Sequence, residues 1–461
     1  MARSWDAVLW GPRDFVDRLA RSSPARLAVT AFAGIIAIFV ALLSMPVATA
    51  SGQRAPFEDA VFTAVSAVSV TGLTTVPTGE YWSTWGHVVI LLGIQIGGLG
   101  VMTLASVLGL AVSRHIGLTQ KLLAASETKT ARLGEVGSLI RTVVIASVTI
   151  ETALALVLFP RFAMIEEDLG SAAWHSVFYA VSAFNNAGFV PTPHGLVPHY
   201  GDWWVLLPII VGVFLGSLGF PVIMSLAAVW RRRKRWRRLN LHSRLTLVTS
   251  GTLAALSTLA IGAFEWGNPD TLGAQDGASR VLSALFAGVM PRSGGFATLE
   301  VGDMREATWL MTDALMFVGG GSASTAGGIK VTTLAVLVLA IIAEARGDRD
   351  MDVWGRRIPR STQRLAVAAS FVGATIVLAS CLVLLELTDW TLDVVLFEVL
   401  SAFGTCGLST GVTPDLPDVG KYVISALMFV GRTGTMTVAA ALALRERRRV
   451  IRYPEERPII G

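Results

Sequence analysis

Val70-Thr71-Gly72-Leu73, Asn186-Ala187-Gly188-Phe189, Ser293-Gly294-Gly295-Phe296 and Thr405-Cys406-Gly407-Leu408 recur at intervals of roughly 110 residues. Each quartet follows a short amphipathic stretch and lies between two long apolar runs. Outward from the glycine the copies stay related: Phe62-x-x-x-Ser66-Ala67 matches Phe178-x-x-x-Ser182-Ala183 and Phe397-x-x-x-Ser401-Ala402. Repeats one and two also share Val-Phe-x-Ala-Val-Ser-Ala at 61–67 and 177–183. The third copy departs, with Leu285-Phe286 one residue nearer its glycine and Val289-Met290-Pro291 in place of the Ser-Ala register.

The stretches before the glycines, 57–69, 173–184, 278–289 and 392–403, are too short to cross a bilayer core, which needs about 20 residues. Half-membrane helices fit better. A short helix aimed at the bilayer centre presents the negative end of its dipole there and favours a cation. The turn beyond it must expose carbonyl oxygens inward, and glycine permits the backbone angles and close approach required. Glycines that merely pack a membrane helix explain one such motif. Four in register point instead to a single pore ringed by backbone carbonyls.

Composition agrees with a membrane setting: 53% of residues are hydrophobic, 15% are charged, and the mean hydropathy is +0.60. Apolar segments at 26–50, 84–110, 138–160, 203–230, 243–264, 307–343, 364–386 and 419–444 give eight expected spans, hence both termini on one side. Of the 38 basic residues, 30 fall in the tails and even-numbered connections, which assigns those segments to the cytoplasm. The opposite side carries Glu166, Glu167, Asp168, Glu265, Asp270, Asp276, Glu300, Asp303, Asp389, Asp393, Asp415 and Asp418, which would draw cations to an outer mouth. The run Arg231-Arg232-Arg233-Lys234-Arg235-Trp236-Arg237-Arg238 directly follows a span, so it reads as a topogenic, anionic-lipid contact and not as a nucleic-acid site. Ala48-Thr49-Ala50 resembles a signal-cleavage site, but the long apolar run before it reads as a retained span. Cys381 and Cys406 offer neither a disulfide framework nor a metal cluster, and the six histidines lack metal-ligand spacing.

At the four turns, at Gly319-Gly320-Gly321-Ser322-Ala323-Ser324-Thr325-Ala326-Gly327-Gly328-Ile329-Lys330 and at Gly431-Arg432-Thr433-Gly434, the chain resembles the membrane subunit of the Trk/Ktr/HKT superfamily of potassium transporters. With eight spans and a short N-terminal tail it looks most like the Ktr type. The resemblance implies an all-α integral membrane fold: four helix–pore-loop–helix units around a pseudo-fourfold pore, usually paired as a homodimer. It also implies a cytosolic ring partner that binds nucleotides of the ATP or ADP type. Nucleotide control would have to come from that partner, since Gly97-Gly98-Leu99-Gly100 lies inside an apolar span without a strand-to-helix G-x-G-x-x-G setting. The implied filter comprises Val70, Thr71, Gly72, Asn186, Ala187, Gly188, Ser293, Gly294, Gly295, Thr405, Cys406 and Gly407. Glycine at all four filter positions goes with potassium in the superfamily, whereas a serine at the first goes with sodium. The serine-containing third turn bears on how strictly the two are told apart.

The expected organisation is a tail at 1–25, repeats at 26–115, 138–230, 243–343 and 364–444, and a tail at 445–461. Five glycines within 319–328 give up on the order of 5 kcal/mol of helical preference, so the sixth span should break there. The resemblance makes that stretch an intramembrane gating loop, with Gly319, Gly320, Gly321, Ser322, Ser324, Thr325, Gly327, Gly328 and Lys330 as gate residues. The order of residues argues against a phosphate cradle, because Lys330 follows Gly327-Gly328-Ile329 and no G-K-[ST] is present there. Arg432, inside the last span, would cost at least about 2.5–3.5 kcal/mol if unpaired. It needs a cavity, a partner, or a route to the surface; in the family the matching arginine holds the gating loop. Glu151 and Asp313 either pair inside the protein or face an outer vestibule.

Function follows as expectation: potassium uptake driven by membrane potential, with no cofactor in this chain and with sodium either coupled or regulatory. A sodium-coupled alternating-access transporter is the rival reading, but such folds often use inverted repeats and these four are parallel. No carboxylate, His or Cys set at one membrane depth suggests an enzyme.

Overall fold

The structure, a computed structural model, describes residues 24–115, 134–231 and 239–444. The N-terminal tail, most of the first basic connection, the arginine-rich run at 232–238 and the C-terminal tail lie outside the described residues, and with them most of the charge-based orientation.

Helices and their order repeat four times. The first unit contains α1 (Pro24–Leu43), the short α2 (Phe57–Val68) and α3 (Thr84–His115). In the second, α4 (Gly134–Ile165) and the short α5 (Leu169–Asn185) precede α6 (Trp203–Leu218) and α7 (Phe220–Arg231). The third has α8 (Leu241–Glu265), the short α9 (Gly277–Val289), α10 (Glu306–Phe317) and α11 (Val331–Arg346). A fourth comprises α12 (Arg360–Leu387), the short α13 (Leu392–Phe403) and α14 (Asp418–Leu444). A two-stranded hairpin, Met351–Val353 paired antiparallel with Arg356–Ile358, is the exception to the all-helical expectation.

Among the described residues, four helices are long and apolar enough to cross a bilayer, within α3, α4, α8 and α12, and α6 with α7 makes a fifth if that bent pair is one span. α1, the α10–α11 pair and α14 occupy the other three expected positions. Two expectations shift. The first helix ends at Leu43, ahead of Pro46 and a single 3-10 turn, where an uninterrupted run to 50 was expected. The fourth expected span is bent by 105° at Gly219, whose φ of 88° only glycine adopts easily.

Burial is distributed as a bilayer demands. The short helices are enclosed, with Phe62, Phe178, Phe286 and Phe397 at 0% exposure. The long helices turn apolar side chains outward, including Leu156, Leu259, Phe371 and Leu378, a pattern that in water would be an aggregation surface. Two of the short helices, α5 and α9, start at a side-chain cap: Asp168 and Asp276 accept backbone N–H bonds from Ser171 and Ser279 at 2.8 Å. Those N–H groups hold both carboxyls below their ordinary values.

One buried carboxylate organises the end of the third unit where α8 gives way to the chain leading to α9. Glu265, 0% exposed, accepts from Asn268 Nδ2 at 2.6 Å, Thr271 Oγ1 at 2.7 Å, the Arg305 N–H at 2.9 Å and Thr308 Oγ1. Glu265→Ala strands these donors and should destabilise the protein by on the order of 3 kcal/mol. Thermal unfolding in detergent reads this, and an unchanged midpoint would contradict the assigned network.

Candidate ion pathway

α2, α5 and α13 end in the same way. The N–H groups of Val70, Asn186 and Thr405 bond the carbonyls of Ala67, Ala183 and Ala402 at 3.1 Å, and those of Thr71, Ala187 and Cys406 bond Ser66, Ser182 and Ser401 at 2.8 Å. This double closure is a Schellman cap, which needs a left-handed residue at its corner. Val70 (φ 55°), Asn186 (φ 60°) and Thr405 (φ 44°) supply it without being glycine. For the β-branched Val70 and Thr405 this strain is about 1–3 kcal/mol each. Two residues later Gly72 (φ 94°), Gly188 (φ 69°) and Gly407 (φ 97°) are left-handed again. The third unit reaches that alternation differently, through a Gly294 N–H to Met290 carbonyl bond at 2.7 Å, with Ser293 at φ 75° and Gly295 at φ 73°.

The serine of the repeated register backs the first, second and fourth turns. Ser66 Oγ accepts from the Gly72 N–H at 3.1 Å and donates to the Leu73 carbonyl at 2.7 Å. Ser182 donates to the Phe189 carbonyl at 2.8 Å, and Ser401 accepts from the Gly407 N–H at 3.1 Å. Without that serine, the third turn is fastened sideways to the fourth: Ser293 Oγ donates to the Thr405 carbonyl at 2.7 Å and Cys406 Sγ to the Met290 carbonyl at 3.5 Å.

The four turns meet. A Cβ added at Gly72 would fall on the Ala187 carbonyl oxygen, at Gly188 on the Gly295 backbone, at Gly295 on the Cys406 carbonyl oxygen, and at Gly407 on the Thr71 carbonyl oxygen. Each glycine therefore abuts the next turn, and the fourth closes on the first. No side chain larger than hydrogen fits at any of the four.

Against this ring lies the break between α10 and α11. Phe317 and Ile329 close its base at 3.2 Å, and Lys330 Nζ reaches back to the Ala326 carbonyl at 2.6 Å. Arg432, 1% exposed, donates through Nη1 to the Thr325 carbonyl. That contact and the burial remove the surface route considered from sequence, while Nε and Nη2 have no acceptor among the described residues. A Cβ at Gly327 would meet the Thr405 side chain, and Thr325 Oγ1 lies 3.4 Å from the Phe184 carbonyl. The segment is also stitched to the broken end of α6 by Gly321 N–H to Ser217 carbonyl at 2.7 Å and by Phe220 N–H to Ala323 carbonyl at 3.2 Å. A Cβ at Gly219 would strike the Ser322 carbonyl oxygen at 2.6 Å.

Glu151 pairs inward, accepting from Asn185 Nδ2 at 3.0 Å and Gln95 Nε2 at 3.1 Å. Asp313 is buried too, with Oδ1 lacking a donor among the described residues. Three further groups escaped the sequence reading. Glu398 accepts from Ser409, Thr413 and the Thr410 N–H, and Asp59 from Thr75 and Lys421, so each ties the chain beyond its glycine back to its short helix. Arg292, 1% exposed, stands over the Phe214 ring at 5.7 Å with no acceptor among the described residues. Its signal was present: a charged residue inside an apolar run, three positions before a glycine already singled out.

A family model described as "Cation transport protein" (TrkH) matches residues 18–449. The chain is 35% identical to the Ktr system potassium uptake protein B of Bacillus subtilis over 97% of its length and 99% of that protein's. It is 32% identical to the potassium/sodium uptake protein NtpJ of Enterococcus hirae, covering 96% of this chain and 98% of that one. Among solved structures, the potassium transporter TrkH from Vibrio parahaemolyticus superposes with a TM-score of 0.71 at 16% identity, over 94% of this chain and 86% of that one, a likeness of fold.

The backing hydroxyls are testable. Ser66→Ala leaves the Gly72 N–H without its acceptor in a fully buried turn and should lower stability by about 1–3 kcal/mol. A thermal midpoint equal to that of the unaltered protein would exclude the bridge.

Proposed function

The chain belongs to the TrkH family of cation transport proteins, and from that premise we propose that it is a potassium-uptake pore subunit of the cell membrane. Eight spans and four pore loops, bounded at 26–115, 138–230, 243–343 and 364–444, surround one pseudo-fourfold axis, with both termini cytoplasmic. Ions enter from the acidic outer side. They shed water at a filter formed by the turns 70–72, 186–188, 293–295 and 405–407, and then meet the loop 319–328 and Arg432. The observation that carries this reading is the cyclic abutment of Gly72, Gly188, Gly295 and Gly407, because only turns around a common axis contact one another in that closed order.

Physical chemistry supports each part. The short helices end at the ring, so their C-terminal partial charges favour a cation there. Alternating left-handed residues orient successive carbonyls alike, giving an ion oxygen atoms in exchange for water. The loop lies against turns two and four and is held by Arg432, a fixed positive charge near the path. Membrane potential supplies about 2.3 kcal/mol per charge per 100 mV. The relatives' names support potassium as the ion, and NtpJ's adds sodium, which bears on selectivity. Opening is controlled by a cytosolic nucleotide-binding ring, and the membrane subunit works as a homodimer.

Reconstitution into liposomes with a clamped potential, measuring rubidium and sodium uptake, tests the proposal. Rubidium should accumulate with a negative interior, and absence of any cation flux from correctly inserted protein would overturn it. Gly72→Ser adds bulk where none fits and should shift the rubidium/sodium uptake ratio toward sodium by about tenfold or more; an unchanged ratio would detach Gly72 from the filter. Arg432→Ala frees the Thr325 carbonyl and should raise basal rubidium flux severalfold, whereas equal flux would remove Arg432 from the gate.

A further inference from the structure

The face of the second unit that turns away from the ring carries a feature the pore reading does not use. α4 and α5 enclose a groove of about 410 Å3, within the range of small-molecule sites. Val148, Ala155 and Phe159 on α4 and Ala173 and Val177 on α5 form apolar walls. Both rims expose hydrocarbon, Leu156 on α4 at 68% and Val177 on α5 at 42%, so the groove opens toward lipid and not toward water. In its lining sits one carboxylate, Glu151.

Two observations set this groove apart from a gap filled by acyl chains. Glu151 is stabilised only by neutral amides, Gln95 and Asn185, and no ion pair among the described residues includes it. Asn185 Oδ1 is also buried without a donor. This cluster is therefore rich in acceptors and short of one positive donor. A buried carboxylate without a cation gains from an ammonium group, through both Coulomb attraction in a poor dielectric and charge-assisted hydrogen bonding. Apolar walls around it select a hydrophobic carrier for that ammonium.

We propose that the α4–α5 groove is a binding site for compact hydrophobic amines that reach it through the bilayer, seated with the ammonium on Glu151 and the hydrocarbon body between Ala155 and Ala173. An amine that arrives protonated, or takes its proton from the carboxyl inside the groove, forms the same ammonium–carboxylate pair. Occupancy pulls Glu151 away from Asn185. Asn185 is the last residue of α5 and stands three positions before Gly188, so occupancy is sensed at the second turn of the ring. This last consequence rests on the proposed pore function, whereas binding itself does not.

The test uses the full-length protein in lipid nanodiscs, with radiolabelled adamantylamine as probe and adamantanol as its neutral counterpart of equal shape. Saturable adamantylamine binding is expected. Loss of the ion pair in Glu151→Gln should weaken it by at least about tenfold, and Ala173→Phe, which fills the groove from an exposed position, should abolish it. Thermal midpoints of both variants establish that they fold. Absence of saturable binding overturns the proposal, as does equal affinity in both variants, the signature of an amine lodged in the pore. Equally tight binding of adamantanol also overturns it, since the groove would then take any apolar body. Rubidium flux, expressed relative to each variant's own untreated flux, should fall with adamantylamine only where binding is retained. Binding without any flux response leaves the site standing and removes its link to the ring.

Discussion

Everything in this fold answers to one steric constraint: four turns approach so closely that the space where each would carry a Cβ is occupied by the next. Glycine at 72, 188, 295 and 407 is the only composition compatible with it. Such an arrangement strains the chain, above all at Val70 and Thr405 in left-handed conformation. Strain of this kind persists only where the surroundings leave no alternative. Schellman caps, backing serines and the fully buried phenylalanines of the short helices supply that confinement. The third turn lacks a backing serine and is held instead by Ser293 and Cys406 bonds that join it to the fourth, so the ring is closed by unequal means.

The same constraint reaches the segment between α10 and α11. Its glycines are needed for proximity as much as for flexibility, because Gly319, Gly320 and Gly327 each lie where a side chain would meet backbone or the Thr405 side chain. The segment bridges two otherwise separate elements, the Arg432 side chain and the broken end of α6. On the proposed reading, a displacement of α7 about Gly219 is coupled to the gate through backbone hydrogen bonds, and the arginine is not the sole fastening.

Much of this was legible in the sequence because it depends on spacing and residue size. The short helices begin and end within a few residues of expectation, and the break in the sixth apolar run falls where five glycines outweigh helical preference. What stayed hidden depends on partners distant in sequence. Glu151 could not be assigned without Gln95, 56 residues away. The bend at Gly219 was invisible because Gly212, Gly216 and Gly219 share one apolar run and only the Ser322 carbonyl from another unit, which leaves no room for a Cβ at Gly219, sets that one apart. The left-handed corners were masked because Val, Asn and Thr occupy sites where Schellman caps usually have glycine. Asp59 and Glu398 belong to no motif that singles them out in the sequence, although each carries a tether of its own turn.

The central claim is that the ring of Gly72, Gly188, Gly295 and Gly407 holds the permeating ion. Rubidium scatters anomalously, so diffraction from crystals grown in rubidium and recorded at its absorption edge locates the ion directly. The account predicts a peak on the axis of the ring, within coordinating distance of carbonyl oxygens from all four turns. A ring without anomalous density, in crystals that hold rubidium elsewhere along a continuous path through the protein, would contradict it.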